Sequence, residues 1–209
     1  MALVVVDFDG TITVEDSLVA IVQAHAPDVF DEVEDALTAG RISLRECIRR
    51  EFEAVAGDHD QIVGEAVART RVRAGFASFV DAARTAGFRV VVVSSGFESI
   101  IRPVLARAGV EELDVVAHEV HFTDAGGVVE FRHGEDCDAC GEQCKRSVVT
   151  SMRDGGDVVY IGDGYSDHCA AMAADRVFAR RGLARYLRTA GVPFESFQDF
   201  TDVRAAMGL

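Results

Sequence analysis

Four stretches of the chain hold residues whose types suit phosphate and metal chemistry. The first is Asp7-Phe8-Asp9-Gly10-Thr11, directly after the apolar run Leu3–Val6. Two aspartates one residue apart bring like charges close together, which is costly unless a cation or a proton compensates them. Oxygen ligands carrying that charge suit Mg2+. The other three are Ser94-Ser95-Gly96 after Arg89–Val93, the single residue Lys145, and Gly162-Asp163-Gly164-Tyr165-Ser166-Asp167 after Val158–Ile161. Taken singly, each has an ordinary reading. Asp7 and Asp9 could be a helix cap and an Asp-Gly turn, Ser94 an N-cap, and Asp163 and Asp167 a turn and a helix start. A cation site, an anion site and a nucleophile meeting in one crevice mean phosphate chemistry.

The elements between these stretches decide whether they meet. Leu3–Val6, Arg89–Val93, Val115–Val116 and Val158–Ile161 are short and β-branched, and read as buried strands. Phe76–Ala86, Ser99–Ala108, Lys145–Arg153 and Asp167–Ala173 have helical spacing between them. This alternation predicts an α/β fold, a mostly parallel sheet with helices on both faces. Ligands of such sheets sit at the carboxyl ends of the strands. The three strand-end stretches therefore share one edge, and Lys145, opening the helix before a strand, joins them there. HEVHF and VVEFR around a TDAGG turn predict a β-hairpin over residues 118–131. The tail after Arg181 offers a helix, a Gly-Val-Pro break and a short closing helix. Residues 14–73 hold no strand pattern and read as four consecutive helices, too long for an ordinary connection. The expected domains are a core of residues 1–13 and 74–209 and an inserted helical cap of residues 14–73, jointed near Thr13–Val14 and Arg73–Gly75.

Composition narrows the function classes. The 209 residues allow one large domain or one with an insert, enough for a real core. The 35 acidic against 21 basic side chains give −14, which argues against nucleic acid and anionic membrane as partners. No apolar run approaches the ~18 residues of a membrane span. MALVVV lacks a basic start and runs into Asp7, so no signal peptide is expected and the expected location is the cytoplasm. Of the 21 basic residues only Lys145 is a lysine, which sets it apart from a surface otherwise built on arginine. Five cysteines without an export signal favour reduced thiols or a metal over a disulfide framework.

DFDGT, the apolar strand into Ser94, Lys145 and GDGYSD resemble the four motifs of the haloacid dehalogenase superfamily, in their usual order and across most of the chain. The helical insert between the first two motifs is similar to that superfamily's first cap type, on a Rossmann-like core. The dehalogenase branch lacks the second aspartate of the first motif, so Asp9 points to the phosphatase branch. The resemblance implies a phosphomonoester hydrolase acting on a small phosphorylated metabolite. Asp7 would be the nucleophile that becomes an aspartyl-phosphate, and Asp9 the acid and then the base. Mg2+ would bind the Asp7 carboxylate, the Asp9 carbonyl and Asp163, with Asp167 behind. Ser94, the Ser95 amide, Lys145 and Thr11 would hold the phosphoryl oxygens.

Two branches fit the helical cap. Phosphoserine phosphatases carry a Glu nine residues after the nucleophile, for the substrate ammonium, and a cap Arg for its carboxylate. Here the ninth residue is Asp16, Glu51 stands where the Arg belongs, and Arg49 and Arg50 lie nearby, so phosphoserine is disfavoured. The other branch resembles 2-hydroxy-3-keto-5-methylthiopentenyl-1-phosphate phosphatase and the phosphoethanolamine/phosphocholine phosphatases. It shares Asp16 as a cap residue toward substrate, RAGFASFV after the cap, a cysteine cluster ending at the motif Lys, and the tail FESFQDFTDV. The leaving group and the oligomeric state are left open.

Cys137, Cys140 and Cys144 fall within eight residues, abutting Lys145. Three readings stand: a structural Zn2+ with His133 as the nearest fourth ligand, plain reduced thiols, or a disulfide. Cys47 and Cys169 read as small core residues. His25, His59, His118, His121 and His168 are assigned no role, and the Arg pairs at 49–50 and 180–181 read as solvated faces. Two non-catalytic rivals use the same residue types. A receiver-type signalling domain, phosphorylated on Asp, has about half this length and no helical insert. A binding protein that had lost activity would not need all four motif positions intact.

Overall fold

The computed structural model describes residues 2–134 and 136–209. In chain order its elements are β1 (Leu3–Val6), α1 (Ser17–His25), α2 (Pro27–Thr38), α3 (Leu44–Glu53), α4 (His59–Arg69), α5 (Phe76–Thr85), β2 (Arg89–Phe97), α6 (Glu98–Arg107), β3 (Asp114–Thr123), β4 (Gly126–Glu130), α7 (Lys145–Ser151), β5 (Val158–Gly162), α8 (His168–Ala171), β6 (Arg176–Ala179), α9 (Arg181–Ala190), β7 (Glu195–Ser196) and α10 (Phe200–Met207). Among the described residues the strands form one seven-stranded sheet in the order β4-β3-β2-β1-β5-β6-β7. Neighbours are parallel except β3 and β4.

The central position of β1 explains its unbroken apolar sequence, because both its faces are covered. Val4 and Val6 point into one core layer with Val92, Ile161, Phe79 and Phe200. Leu3 and Val5 point into the other with Val93, Val149, Tyr160 and Leu187. Alternation along the strand thus feeds two cores. Val6 lies opposite both Val92 and Ile161, so β1, β2 and β5 reach the same edge together. That register brings Asp7, Ser94 and Asp163 to one place.

Residues 14–73 form α1 to α4, close to the predicted spans. Three of the four starts, those of α1, α3 and α4, are capped by side chains. Asp16 accepts from the Val19 amide, Ser43 from that of Glu46 and Asp58 from that of Gln61. The two crossings into this block run side by side. Thr13 bridges Val72, Val14 N donates to the Arg71 carbonyl at 2.9 Å, and Arg73 N donates to that of Ile12 at 2.7 Å. On the far side, Phe52 of α3 meets Phe97 edge-on at 4.6 Å and lies beside Phe122 of β3.

Three local differences from the sequence reading have physical causes. The expected strand at Val115–Val116 and the hairpin are one element: β3 leaves the parallel sheet and continues straight into its pairing with β4. β6 was not expected, since RVFA carries a single β-branched residue and so lacks the run that marks β1. The helix expected over Asp167–Ala173 is a single tight turn, Tyr165–Asp167, followed by the short α8. There the Asp167 carboxylate binds the amides of Asp163 and Gly164, which ties the chain into a turn. Among the described residues no helix is long and apolar enough to cross a membrane.

Candidate active site

Asp7 leaves the end of β1 and is 4% exposed. The chain then makes one wide turn, Phe8–Ile12, which requires a glycine. Gly10 has φ 74°, and a Cβ there would lie 2.4 Å from an Asp163 carboxylate oxygen. Arg73 braces this turn from the far crossing. It is buried, and its guanidinium donates to the carbonyls of Thr11 at 2.9 Å, Gly10 at 2.9 Å and Thr13 at 2.8 Å. Sequence gave no sign of this brace, because an arginine between two helices reads as solvent-facing.

Lys145, at the start of α7, is 1% exposed. Its ammonium donates to Asp7 Oδ1 at 2.5 Å and to Asp167 Oδ1 at 2.8 Å. Asp167 also accepts from the Tyr160 hydroxyl at 2.7 Å, and its Oδ2 accepts from the amides of Asp163 and Gly164, both at 2.9 Å. Thr11 donates to Asp163 at 3.3 Å. Oxygens of Asp7, Asp163 and Asp167 lie within 4.8 Å of one another. One ammonium among three carboxylates leaves an excess of negative charge. Burial, then Asp167, raises Asp7 well above the usual carboxylate range, against the pull of Lys145. Burial and Asp167 likewise push Asp163 up to about 6. Burial alone would raise Asp167 too, but Lys145 and the amides hold it below its ordinary value. The donor set is all oxygen and short of positive charge, which fits a hard divalent cation.

Asp9 is placed differently from Asp7. Its Oδ1 accepts the Ser17 amide at 2.7 Å, while Oδ2 is buried without a hydrogen-bond partner among the described residues. Burial, then the nearby Asp16 charge, pushes its carboxyl up to about 7. A group of that acidity can both give and take a proton at neutral pH. Asp16 itself is exposed and caps α1.

On the neighbouring strand, β2 loses its register against β3 between Val93 and Phe97. In that irregular stretch Ser94 is buried, its Oγ accepts the Gly96 amide at 2.9 Å, and its carbonyl contacts His133 Nε2 at 2.7 Å. His133 is therefore engaged in supporting Ser94, and its expected place as a fourth ligand beside the cysteines is not what the structure has. Burial holds it down to about 4, a neutral ring at physiological pH. Arg181 is exposed, as expected of a solvated face, and its guanidinium also comes within 3.7 Å of Asp163. Arg49 and Arg50 do lie on the outside, paired with Glu46. Glu51 is buried with Oε1 unpartnered among the described residues, and burial followed by Glu34 and Asp16 pushes it up to about 7.

A cavity of about 730 Å3 opens beside this cluster, with Ser95 and Lys145 at one end and Ile42, Phe131, Met172 and Tyr186 among its other walls. Cys137, Cys140 and Cys144 gather beside it, and all are free thiols. Cys169 joins them. Its Sγ lies 3.6 Å from that of Cys137, so it is no simple core residue.

The haloacid dehalogenase-like hydrolase family matches residues 4–172. The 2-hydroxy-3-keto-5-methylthiopentenyl-1-phosphate phosphatase of Exiguobacterium sp. (strain ATCC BAA-1283 / AT1b) is 29% identical, covering 98% of this chain and 96% of its own. The same-named protein of Bacillus cereus (strain B4264) is 28% identical, covering 97% and 94%. A solved structure of a phospho-aspartyl intermediate analogue of phosphoserine phosphatase superposes with a TM-score of 0.74 at 18% identity, covering 98% of this chain and 97% of that one. At that identity the likeness is one of fold. With the family match running from β1 to α8, the chain belongs to the haloacid dehalogenase-like hydrolases.

Proposed function

We propose that the protein is a Mg2+-dependent phosphomonoester hydrolase working through an aspartyl-phosphate on Asp7. The observation that carries this is the contrast between its two neighbouring aspartates. Asp7 is held by the Lys145 ammonium at 2.5 Å, while Asp9 keeps an unpartnered oxygen and a carboxyl pushed up to about 7. One is fixed in place for attack and the other is set for proton transfer.

In the first step an Asp7 oxygen bonds to phosphorus as the ester oxygen leaves, and protonated Asp9 gives that alkoxide its proton. In the second step Asp9, now a carboxylate, takes a proton from water. The water oxygen bonds to phosphorus, and the Asp7 carboxylate is released with inorganic phosphate. Splitting a very slow hydrolysis in two is the gain of covalent catalysis. Lys145, Ser94 and the Ser95 amide surround the transferring oxygens, with Thr11 behind them, where charge develops. Mg2+ would be held by the carboxylates of Asp7 and Asp163 and the Asp9 carbonyl, and would supply charge compensation for the phosphoryl group. Asp167, with both oxygens committed, would position Lys145.

For the leaving group we propose 2-hydroxy-3-keto-5-methylthiopentenyl-1-phosphate. Relatives of that name match the chain over nearly its whole length. The apolar walls of the cavity beside Lys145 suit a thioether tail. Phosphoserine fits poorly, because the buried Glu51 stands in the chain where a carboxylate-binding Arg is expected, and Arg49 and Arg50 lie on the outside, paired with Glu46. Residues 14–73 act as a cap that shields the crevice from water. A phosphate-release screen with Mg2+ over phosphorylated metabolites, including this enol phosphate, phosphoserine, phosphoethanolamine and phosphocholine, tests the reading. Turnover of none of them, or of phosphoserine above the rest, would overturn it. Turnover also separates an enzyme from a signalling or binding domain.

A further inference from the structure

The cysteine cluster has a geometry that the catalytic reading does not use. Four thiols converge: Cys137, Cys140 and Cys144 from the connection between β4 and α7, and Cys169 from α8. All four Sγ atoms lie within 4.8 Å of one another. The Cys137–Cys169 pair is 3.6 Å apart and the Cys140–Cys144 pair 3.5 Å. A disulfide requires sulfurs at about 2.0 Å. Thiolates at the corners of a tetrahedron around zinc, at the usual Zn–S length of about 2.3 Å, would stand about 3.8 Å apart. The observed spacing belongs to the second arrangement.

The backbone is shaped for it too. The Cys137 amide donates to the Glu142 carbonyl at 2.9 Å and the Gly141 amide to that of Cys137 at 2.7 Å, closing a tight loop around the first two thiols. The Ala139 amide donates to Cys137 Sγ at 3.4 Å. An amide aimed at sulfur supports the thiolate, the form that binds metal. Hard oxygen-seeking cations have no use for four sulfurs, whereas zinc does.

We propose that Cys137, Cys140, Cys144 and Cys169 form a closed four-thiolate site for one structural zinc ion. Such a site ties the start of α7 to α8. Cys144 immediately precedes Lys145 and Cys169 follows two residues after Asp167, so the ion would fasten both partners of the 2.8 Å contact between that ammonium and carboxylate. The connection from residue 131 to 144 carries no strand or helix among its described residues, and a metal clip replaces the order it lacks. The four thiols give up their protons on binding.

The test uses the full chain, purified under reductant without chelators. Elemental analysis should find one zinc per chain that added Mg2+ does not displace. Cobalt offered to metal-depleted wild type should give the intense thiolate charge-transfer absorption and visible bands of a tetrahedral sulfur site. Cys140→Ser and Cys169→Ser should lose the zinc, and Cys47→Ser, outside the cluster, should keep it. If the cysteine variants fail to fold, the cobalt spectrum of wild type still decides. Wild type that holds no zinc and takes up neither zinc nor cobalt stoichiometrically overturns the proposal. So does an iron chromophore in place of zinc, a disulfide within the cluster found by mass spectrometry, or zinc retained by folded Cys169→Ser.

Discussion

Asp167→Asn is the perturbation that separates a supporting carboxylate from a passive one. Asp167 is fully buried and accepts four hydrogen bonds, two on each oxygen. An asparagine of the same shape has one accepting oxygen and one donating nitrogen. Turned one way, its NH2 meets the amides of Asp163 and Gly164. Turned the other way, it meets the Lys145 ammonium. Either orientation sets donor against donor, and the charge opposite Lys145 is gone as well. Breaking a buried ion pair from one side costs about 3–5 kcal/mol, and each charged hydrogen bond about 1.5–3 kcal/mol. Because Asp7 still pairs with Lys145 and the two costs overlap, we take the ion-pair figure alone, about 3–5 kcal/mol, as the total. For a chain of this size, about 2–4 °C per kcal/mol makes that a fall in Tm on the order of 10 °C. Tyr160→Phe removes only one of the four bonds and should cost about 1.5–3 kcal/mol. Asp167 is held below its ordinary range, so its contribution is present above about pH 4 and is lost as pH falls further. The gap between wild type and Asp167→Asn should therefore shrink toward pH 3. Urea unfolding at several pH values, with phosphate release on the same samples, measures all of this. An Asp167→Asn protein with wild-type stability at pH 7 and an unchanged kcat would refute the reasoning.

Asp7→Asn should abolish turnover with the fold intact, and beryllium fluoride should label only wild type; residual turnover in the variant would remove Asp7 from the covalent role. Asp9→Asn should lower kcat at least ~10²-fold and erase the limb of the pH profile near 7, which single-turnover and steady-state kinetics across pH will reveal. Asp9 and Asp163 are pushed up to about 7 and about 6, so their protonated forms favour the folded, metal-free protein; that contribution is full below about pH 4 and is lost as pH rises through 7. Mg2+ should accordingly raise Tm more at pH 8 than at pH 5, and equal shifts in differential scanning fluorimetry would argue against a carboxylate site. Lys145→Arg keeps the charge but puts a broad planar group where a buried point charge sits, and should cost at least ~10²-fold in kcat.

What could be read from the sequence and what could not differ in kind. β1, β2 and β5 announced themselves through runs such as LVVV because a doubly covered strand has no polar face. The helical block was visible through its lack of strand pattern and a length too great for an ordinary connection. Asp7, Asp9, Ser94 and Asp163 stand where strand ends in a parallel sheet must put them, with the register of Val6 with Val92 and Ile161 as the physical reason, and Lys145 joins them from the start of α7. Arg73, Tyr160 and Cys169 were not legible. Arg73 works by reaching three carbonyls on a turn sixty or more residues away in sequence. Tyr160 sits in a strand whose every neighbour is core, so its hydroxyl's contact with Asp167 leaves no mark on the pattern. Cys169 lies too far along the chain from Cys144 for spacing to link them. Periodicity reports which way a residue faces, whereas these three depend on what meets it there.

The charge balance of the site also shows why its few cations matter more than the chain's total. A protein of formal charge −14 repels phosphate esters at long range. At physiological salt that repulsion fades over about 8 Å, so the outer carboxylates contribute little once a substrate is inside. Within the crevice dielectric screening is weaker and the local account is different. Three carboxylates face one lysine, with Arg181 at the margin 3.7 Å from Asp163. A phosphate dianion added to this group would make the excess worse, and Asp7, whose attack needs its charged form, is the carboxylate that burial and Asp167 disfavour most plainly. The arrangement is consistent only if positive charge arrives with or before the substrate. A divalent ion held by Asp7 and Asp163 would meet that need, and it would leave the lone lysine to act on the phosphoryl oxygens, with Asp167 as its counter-charge.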